Sequence, residues 1–275
     1  MRLAIVAAGL VLALAPVAGS AHDPAQAKYL GNEGILVALG DTKILFDAFY
    51  AESFEGQYTL VPGALESAMM KGEPPFDGVD AIFFTHIHPD HFNSRKTITY
   101  MRSHPNVRLY AGMDVVGAIR AADASSDPLM QRVVPVHAPP GQPPVRFAVE
   151  GLEIEAFAIP HNGNGPIPHF AYRVTLGAGT TVMHLGDAGD EDRHYAPYQG
   201  DLDRKRTDVA FAPYWMLLTE SGKRVLEQRI RPVETVGIHV EDEERKHPDA
   251  TRREAGADLF IEPGETRLVG DPNPR

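Results

Sequence analysis

The stretch FFTHIHPDHF, Phe83 to Phe92, places three histidines and one aspartate, His86, His88, Asp90 and His91, within six residues. A solvated loop has no reason to collect so many imidazoles beside one carboxylate, and a core histidine usually occurs singly. The apolar run DAIFFT just before it reads as a buried strand, so the cluster stands at a strand end. His86 and His88 alternate by two, whereas Asp90 and His91 are adjacent. A turning loop can aim the first pair at one point and the second pair at a neighbouring point. A catalytic zinc takes about three protein ligands and keeps a position for water, so two such centres need further ligands from elsewhere in the chain.

Three residues recur in the same local setting. His161 follows the strand AFAIP and opens the Gly-rich loop NGNGPIP, Asp187 ends the run TTVMHLGD, and His239 ends TVGIH. Each stands at the C-terminal end of an apolar run, as His86 does, where loops over a rigid sheet can converge on one edge. The other histidines lack that placement. His184 reads as a packed strand residue, and His104, His137, His194 and His247 sit in polar or turn settings with structural or solvent-facing roles.

The whole chain frames this site. Its 275 residues are 43% hydrophobic and 23% charged, enough for one sizeable core and unlike a disordered composition. GILVALGDTKILFDAFY reads as two strands about a Gly-Asp turn, followed by a long loop from Ala51 to Gly78. A helix is expected from His91 to Ser103, and ESGKRVLEQRIR is an amphipathic helix. HFAYRVTLG and TTVMHLGD form a hairpin around Gly177 to Gly179. No repeat or linker divides the chain, so residues 22–275 are expected to form a single domain.

Residues 1–21 stand apart. Arg2, an apolar run from Leu3 to Ala18 and the small residues up to Ala21 describe a secretory signal peptide. The run is shorter than the roughly 20 residues of a membrane span, and Pro16 interrupts it. The mature protein is therefore expected outside the cytoplasm, most simply in a periplasm, with no stable membrane insertion after cleavage. The net charge of −11 becomes one unit more negative when Arg2 leaves. That field disfavours nucleic acid as a partner and leaves a small-molecule substrate. With no cysteine in the chain, thiolate ligands and a cysteine nucleophile are excluded, and any metal must sit on His, Asp or Glu.

The sequence THIHPDHF resembles the H-x-H-x-D-H signature of the metallo-β-lactamase superfamily. His161, the Gly-Asp of HLGDAG and the IH of GIHV follow in that family's order. The resemblance runs from Tyr29 to about Gly270 and takes in ILFDAF and EPGETRLV. It implies an α/β (α+β) fold, the four-layer αββα sandwich. It also implies two divalent metal ions: His86, His88 and His161 hold the first, Asp90, His91 and His239 the second, and Asp187 bridges them. Zn2+ is the first expectation, although imidazole and carboxylate also serve Mn2+ or Fe. A bridging aspartate without cysteine is more similar to the branches that include glyoxalase II, lactonases and phosphodiesterases than to the zinc β-lactamases. The short single-domain layout is similar to the ascorbate-6-phosphate lactonase branch.

Two divalent ions close together lower the pKa of a water shared between them and polarise a carbonyl or phosphoryl oxygen. The expected function is hydrolysis of an ester, lactone or phosphodiester bond, with Asp90 and Asp187 as catalytic carboxylates. Asp47 is a candidate to orient a ligating imidazole. His169, Tyr214 and Trp215 are candidate substrate contacts. The alternatives are a β-lactamase acting on β-lactam amides and a protein that binds metal or ligand without turnover.

Overall fold

The computed structural model describes residues 24–123, 127–163, 165–177 and 179–270, so the leader expected over residues 1–21 lies outside the described residues. Short apolar runs punctuated by turns build two seven-stranded sheets. In the first, β1 (Ala25–Gly31), β2 (Gly34–Leu39) and β3 (Thr42–Phe46) form an antiparallel meander. β4 (Ala81–Phe84), β5 (Arg108–Gly112) and β6 (Val133–Val136) extend it in parallel. In the second, β7 (Val145–Val149), β8 (Leu152–Phe157), β9 (Ala171–Leu176) and β10 (Thr180–His184) run antiparallel. β11 (Val209–Pro213), β12 (Glu234–Ile238) and β13 (Asp258–Leu259) follow in parallel register. Finally β14 (Thr266–Val269) returns to the first sheet beside β1.

Alternation along the strands produces the layers. Ile35, Val37, Ile44, Phe46 and Phe83 of the first sheet meet Ile154, Tyr172, Val174, Phe211 and Ile238 of the second in one central core. The opposite face of the first sheet, with Leu36, Leu45, Ile82 and Leu109, packs on Met69, Ile98, Met101, Val115 and Ile119 from three helices. The outer face of the second sheet, with Phe157, Ala171, Met183 and Ala212, packs on Tyr195, Met216, Val225 and Leu226. Helix, sheet, sheet, helix is the expected αββα order. Each fully buried Leu, Ile or Phe contributes about 1.5–3 kcal/mol, so this double core needs no disulfide. Among the described residues no helix is long and apolar enough to cross a membrane.

Several local expectations shift. The stretch read as loop from Ala51 to Gly78 contains a helix, Gly63–Lys71, closed by Gly72 in the left-handed conformation. The next helix begins at Ser94 rather than His91, because Asn93 caps it by accepting the Lys96 amide at 3.1 Å. The residues before Asn93 are thereby released as a loop. Tyr214–Leu218, just beyond the strand end at Pro213, is a short helix. The helix from Glu220 widens into a π-helical turn over Val225–Ile230. The apolar run DLFIE pairs only at Asp258 and Leu259.

Candidate metal centre

Parallel strands bring the candidate residues together. Asp47 follows β3, His86 follows β4 after Thr85, Asp187 follows β10 and His239 follows β12 directly. The loops carrying His161 and Asp187 are stitched together: Asn162 N donates to Asp187 O at 2.7 Å and Gly189 N to Pro160 O at 2.8 Å. Gly186 permits the last approach. Its φ is +55°, and a Cβ there would lie 2.6 Å from Thr85 Cβ and 2.7 Å from His169 Nε2.

Among the described residues four overlapping groups of ligand atoms result, two of them containing Glu33 and two not. Of the two without Glu33, His86, His88, His161 and Asp187 form one, and Asp90, His91 and His239 form the other, each with its atoms within 4.8 Å of one another. These are the two sets expected from the sequence. Asp187 faces both. Its Oδ2 lies 3.3 Å from His161 Nε2 and 3.8 Å from His86 Nε2, while Oδ1 lies 3.2 Å from His91 Nε2 and 3.3 Å from His239 Nε2.

Neighbouring hydrogen bonds assign the imidazole tautomers. Asp47 accepts the Thr85 amide at 2.9 Å and the Thr85 hydroxyl at 2.6 Å, and its Oδ2 stands 3.0 Å from His91 Nδ1. His91 therefore carries hydrogen on Nδ1 and turns Nε2 into the centre. With its proton given to Asp47, Thr85 Oγ1 can only accept from His86 Nδ1, 3.0 Å away. The His86 Nε2 lone pair then faces His88 Nδ1 at 2.9 Å. Asp47 thus holds the orienting place expected of it. Asp47→Ala is expected to weaken metal affinity by ~10–100-fold, read by competition with a chromophoric chelator. Wild-type affinity would refute that role.

At His86, His88 and His239 electrostatics favour ligation. Burial holds His86 well below the ordinary imidazole range, with His91 adding to the effect, and burial likewise lowers His88 and His239. Neutral imidazoles have a lone pair to give. Burial opposes charge on His91, but Asp187 and Asp47 outweigh it and push its pKa well up. Burial would raise Asp187, yet His91 and His239 hold it well below the carboxylate range.

Several atoms lack any partner. Among the described residues, His91 Nε2, His161 Nε2, His239 Nε2 and Asp187 Oδ1 are buried without a hydrogen bond. So are both carboxylate oxygens of Glu33, a fully buried residue in the turn between β1 and β2. Glu33 Oε2 lies 3.9 Å from both His91 Nδ1 and His184 Nδ1, and Glu33 also groups with Asp187 and His239. Glu33, Asp47, Asp90 and Asp187 are four buried carboxylates, and Glu33 feels the charge of the other three. Buried charge without a partner is costly, and this nitrogen-and-oxygen donor set fits divalent cations.

The β1–β2 turn is fastened to the site. His239 N donates to Asn32 O at 3.2 Å, and Asn32 Nδ2 donates to Asp90 O at 3.0 Å. His239 has a φ of +57°, a left-handed turn that histidine tolerates better than most residues. Tyr58 was not expected here, yet its ring meets the His239 ring edge-on at 3.9 Å. Burial, and then nearby carboxylates, push its phenol well up.

The candidate substrate contacts divide. His169 is buried, its Nδ1 donating to Ile159 O at 2.9 Å, and burial pushes its pKa down to about 3. Its ring lies 5.4 Å from His86 and 5.9 Å from His161. Trp215 stands 5.2 Å from His239 and donates Nε1 to Ala188 O at 3.2 Å. Tyr214 instead packs into the outer core of the second sheet, where Glu254, Glu244 and Glu241 are the charges it feels. His184 is a packed residue: its Nε2 donates to Glu33 O at 2.9 Å and its ring stacks on Phe46. His137, read as structural or solvent-facing, lines a cleft beside His161 and His169.

Solved structures share this architecture. The metallo-beta-lactamase fold protein YhfI from Bacillus subtilis superposes with a TM-score of 0.58 at 15% identity, covering 89% of this chain and 99% of its own. Igni18, a metallo hydrolase from the archaeon Ignicoccus hospitalis, gives 0.57 at 16%, covering 88% and 97%. The isothiocyanate hydrolase from Delia radicum gut bacteria gives 0.60 at 17%, covering 89% and 100%. At such identities these likenesses establish the fold alone. Among curated proteins, none matches this sequence. The Beta-lactamase superfamily domain model matches residues 42–241, a span that holds all seven ligand candidates, and the chain therefore belongs to that superfamily.

Proposed function

We propose that the protein is an exported hydrolase that depends on two divalent metal ions, most simply Zn2+, and cleaves an ester, lactone or phosphodiester bond in a small molecule. The observation that carries this reading is Asp187, each of whose oxygens faces a different group of ligand atoms, with His91 Nε2, His161 Nε2 and His239 Nε2 left without a hydrogen bond. When bound, the ions supply an activated water and Lewis acidity near neutral pH. The chain supplies the rest. His86, His88 and His161 hold one side and Asp90, His91 and His239 the other, while Asp47 fixes the His91 ring. Asp90, only 4% exposed, has its Oδ2 3.7 Å from His91 Nε2 and 3.9 Å from His239 Nε2, so it can accept a proton at that edge. The leader-like residues 1–21 support export to the periplasm, with residues 22–275 as the mature single domain.

The test is metal content per chain on purified mature protein, paired with hydrolysis of p-nitrophenyl ester, lactone and phosphodiester substrates before and after chelation. About two metals, with activity lost on chelation and restored by metal, is the expected result. One metal or none, with no turnover after reconstitution, would sink the two-ion hydrolase and leave a binding role. Cleavage of a chromogenic β-lactam in place of all three substrates would move the activity to amides.

A further inference from the structure

Beside the His161 edge of the centre lies a cleft of about 380 Å³, within the ~300–1,000 Å³ range of small-molecule sites. Its walls come from the end of β6 with the following residues, from Met113, and from the loop between β8 and β9. Among the described residues that line it there is no lysine, arginine, aspartate or glutamate. The polar side chains are His137, His161 and His169. Met113, 54% exposed, offers a large apolar side chain at one wall. Prolines 139, 140, 166 and 168 stiffen two opposing walls, so little backbone entropy remains to be lost on binding.

We propose that this cleft seats the apolar group of a neutral carboxylic ester or lactone, with the scissile carbonyl directed to the His161 side of the centre. The inference rests on the hydrolase reading above and narrows its substrate class. Recognition of a phosphodiester or sugar phosphate beyond the reacting oxygens would call for arginine or lysine, and the lining offers neither. A chain or ring of intermediate size meets Met113, Ile167 and Phe170 while its carbonyl stays at the polar end marked by His161 and His169. The flexible Met113 side chain can adapt to that group.

The test uses the full mature protein and uncleavable neutral amides, from acetamide to octanamide, titrated calorimetrically with metal removed and with metal restored. Affinity is expected to rise about three- to fourfold per added methylene until the cleft is full. Met113→Glu and Ile167→Glu should abolish that dependence, and Ile167→Trp, which fills space without adding charge, should cut it short. With loaded protein, kcat/KM for p-nitrophenyl esters should climb along the same series and exceed that for bis(p-nitrophenyl) phosphate. Octanamide binding no tighter than acetamide, or a chain-length dependence untouched by all three substitutions, would overturn the inference while leaving any ester hydrolysis standing. Chain-length-dependent amide binding without hydrolysis of any ester would uphold the cleft and refute the hydrolase.

Discussion

Asp187→Asn is expected to lower metal-dependent hydrolysis by on the order of 10³-fold or more, since metal ions contribute several kcal/mol at a transition state and each ~1.4 kcal/mol is a factor of ten. The size of the effect follows from geometry. Asp187 is the one candidate whose oxygens approach both groups, within 3.3 Å of His161 on one side and of His91 and His239 on the other. An amide keeps the shape but loses the charge and one acceptor, so one group loses an oxygen donor and both lose the negative charge. Metal content, read alongside turnover, should fall below that of wild type even when the variant is refolded in excess metal. Wild-type turnover would show that the two groups work without a shared carboxylate and would end the two-ion mechanism.

Glu33→Gln is expected to act in the opposite direction on stability. Keeping a carboxyl buried beside other carboxylates is costly, so the neutral isostere should stabilise the chelated protein by ~2–4 kcal/mol at pH 7 in urea unfolding. The sign has a pH signature. Burial, and next the charge of Asp187, hold the Glu33 carboxyl well above the ordinary carboxylate range. As pH rises through that range the unfolded chain gives up its proton before the folded chain does, so wild-type stability falls. Glutamine has no proton to lose, and the advantage should therefore vanish in acid and grow toward neutrality. Loading with metal should shrink it, because cations then face the carboxylate. Loss of stability in the chelated variant would mean that Glu33 is an ordinary satisfied core residue.

Much of the site was legible in the sequence because strand ends are easy to read. DAIFFT, TTVMHLG and TVGI are apolar runs that stop abruptly at a ligand-type residue, and the sheets bring those stops together. Glu33 was not legible. In LGNEGI it looks like an ordinary turn residue between Asn and Gly, and only its burial against His91, His184 and His239 gives it meaning. Tyr58 was hidden for a related reason: the stretch from Ala51 to Gly78 is rich in Gly, Pro and Glu and reads as irregular. Composition could not show that the helix Gly63–Lys71 lies within that stretch, or that Tyr58 reaches the His239 ring. Tyr214 and Trp215 are neighbours in sequence, yet a short helix sends one into the outer core and the other toward His239. Such separations depend on helix phase, which a single apolar run does not reveal.

The candidate ligands are divided between the two sheets: His86, His88, Asp90 and His91 follow β4 of the first, whereas His161, Asp187 and His239 follow strands of the second. An ion held by His86 and His161, or by His91 and His239, would therefore also rivet the two layers together. Affinity for metal and cohesion of the sandwich become one free energy seen from two sides. A substitution that loosens the seam between the sheets is expected to weaken the hold on metal only to the extent that it separates His86 from His161 or His91 from His239.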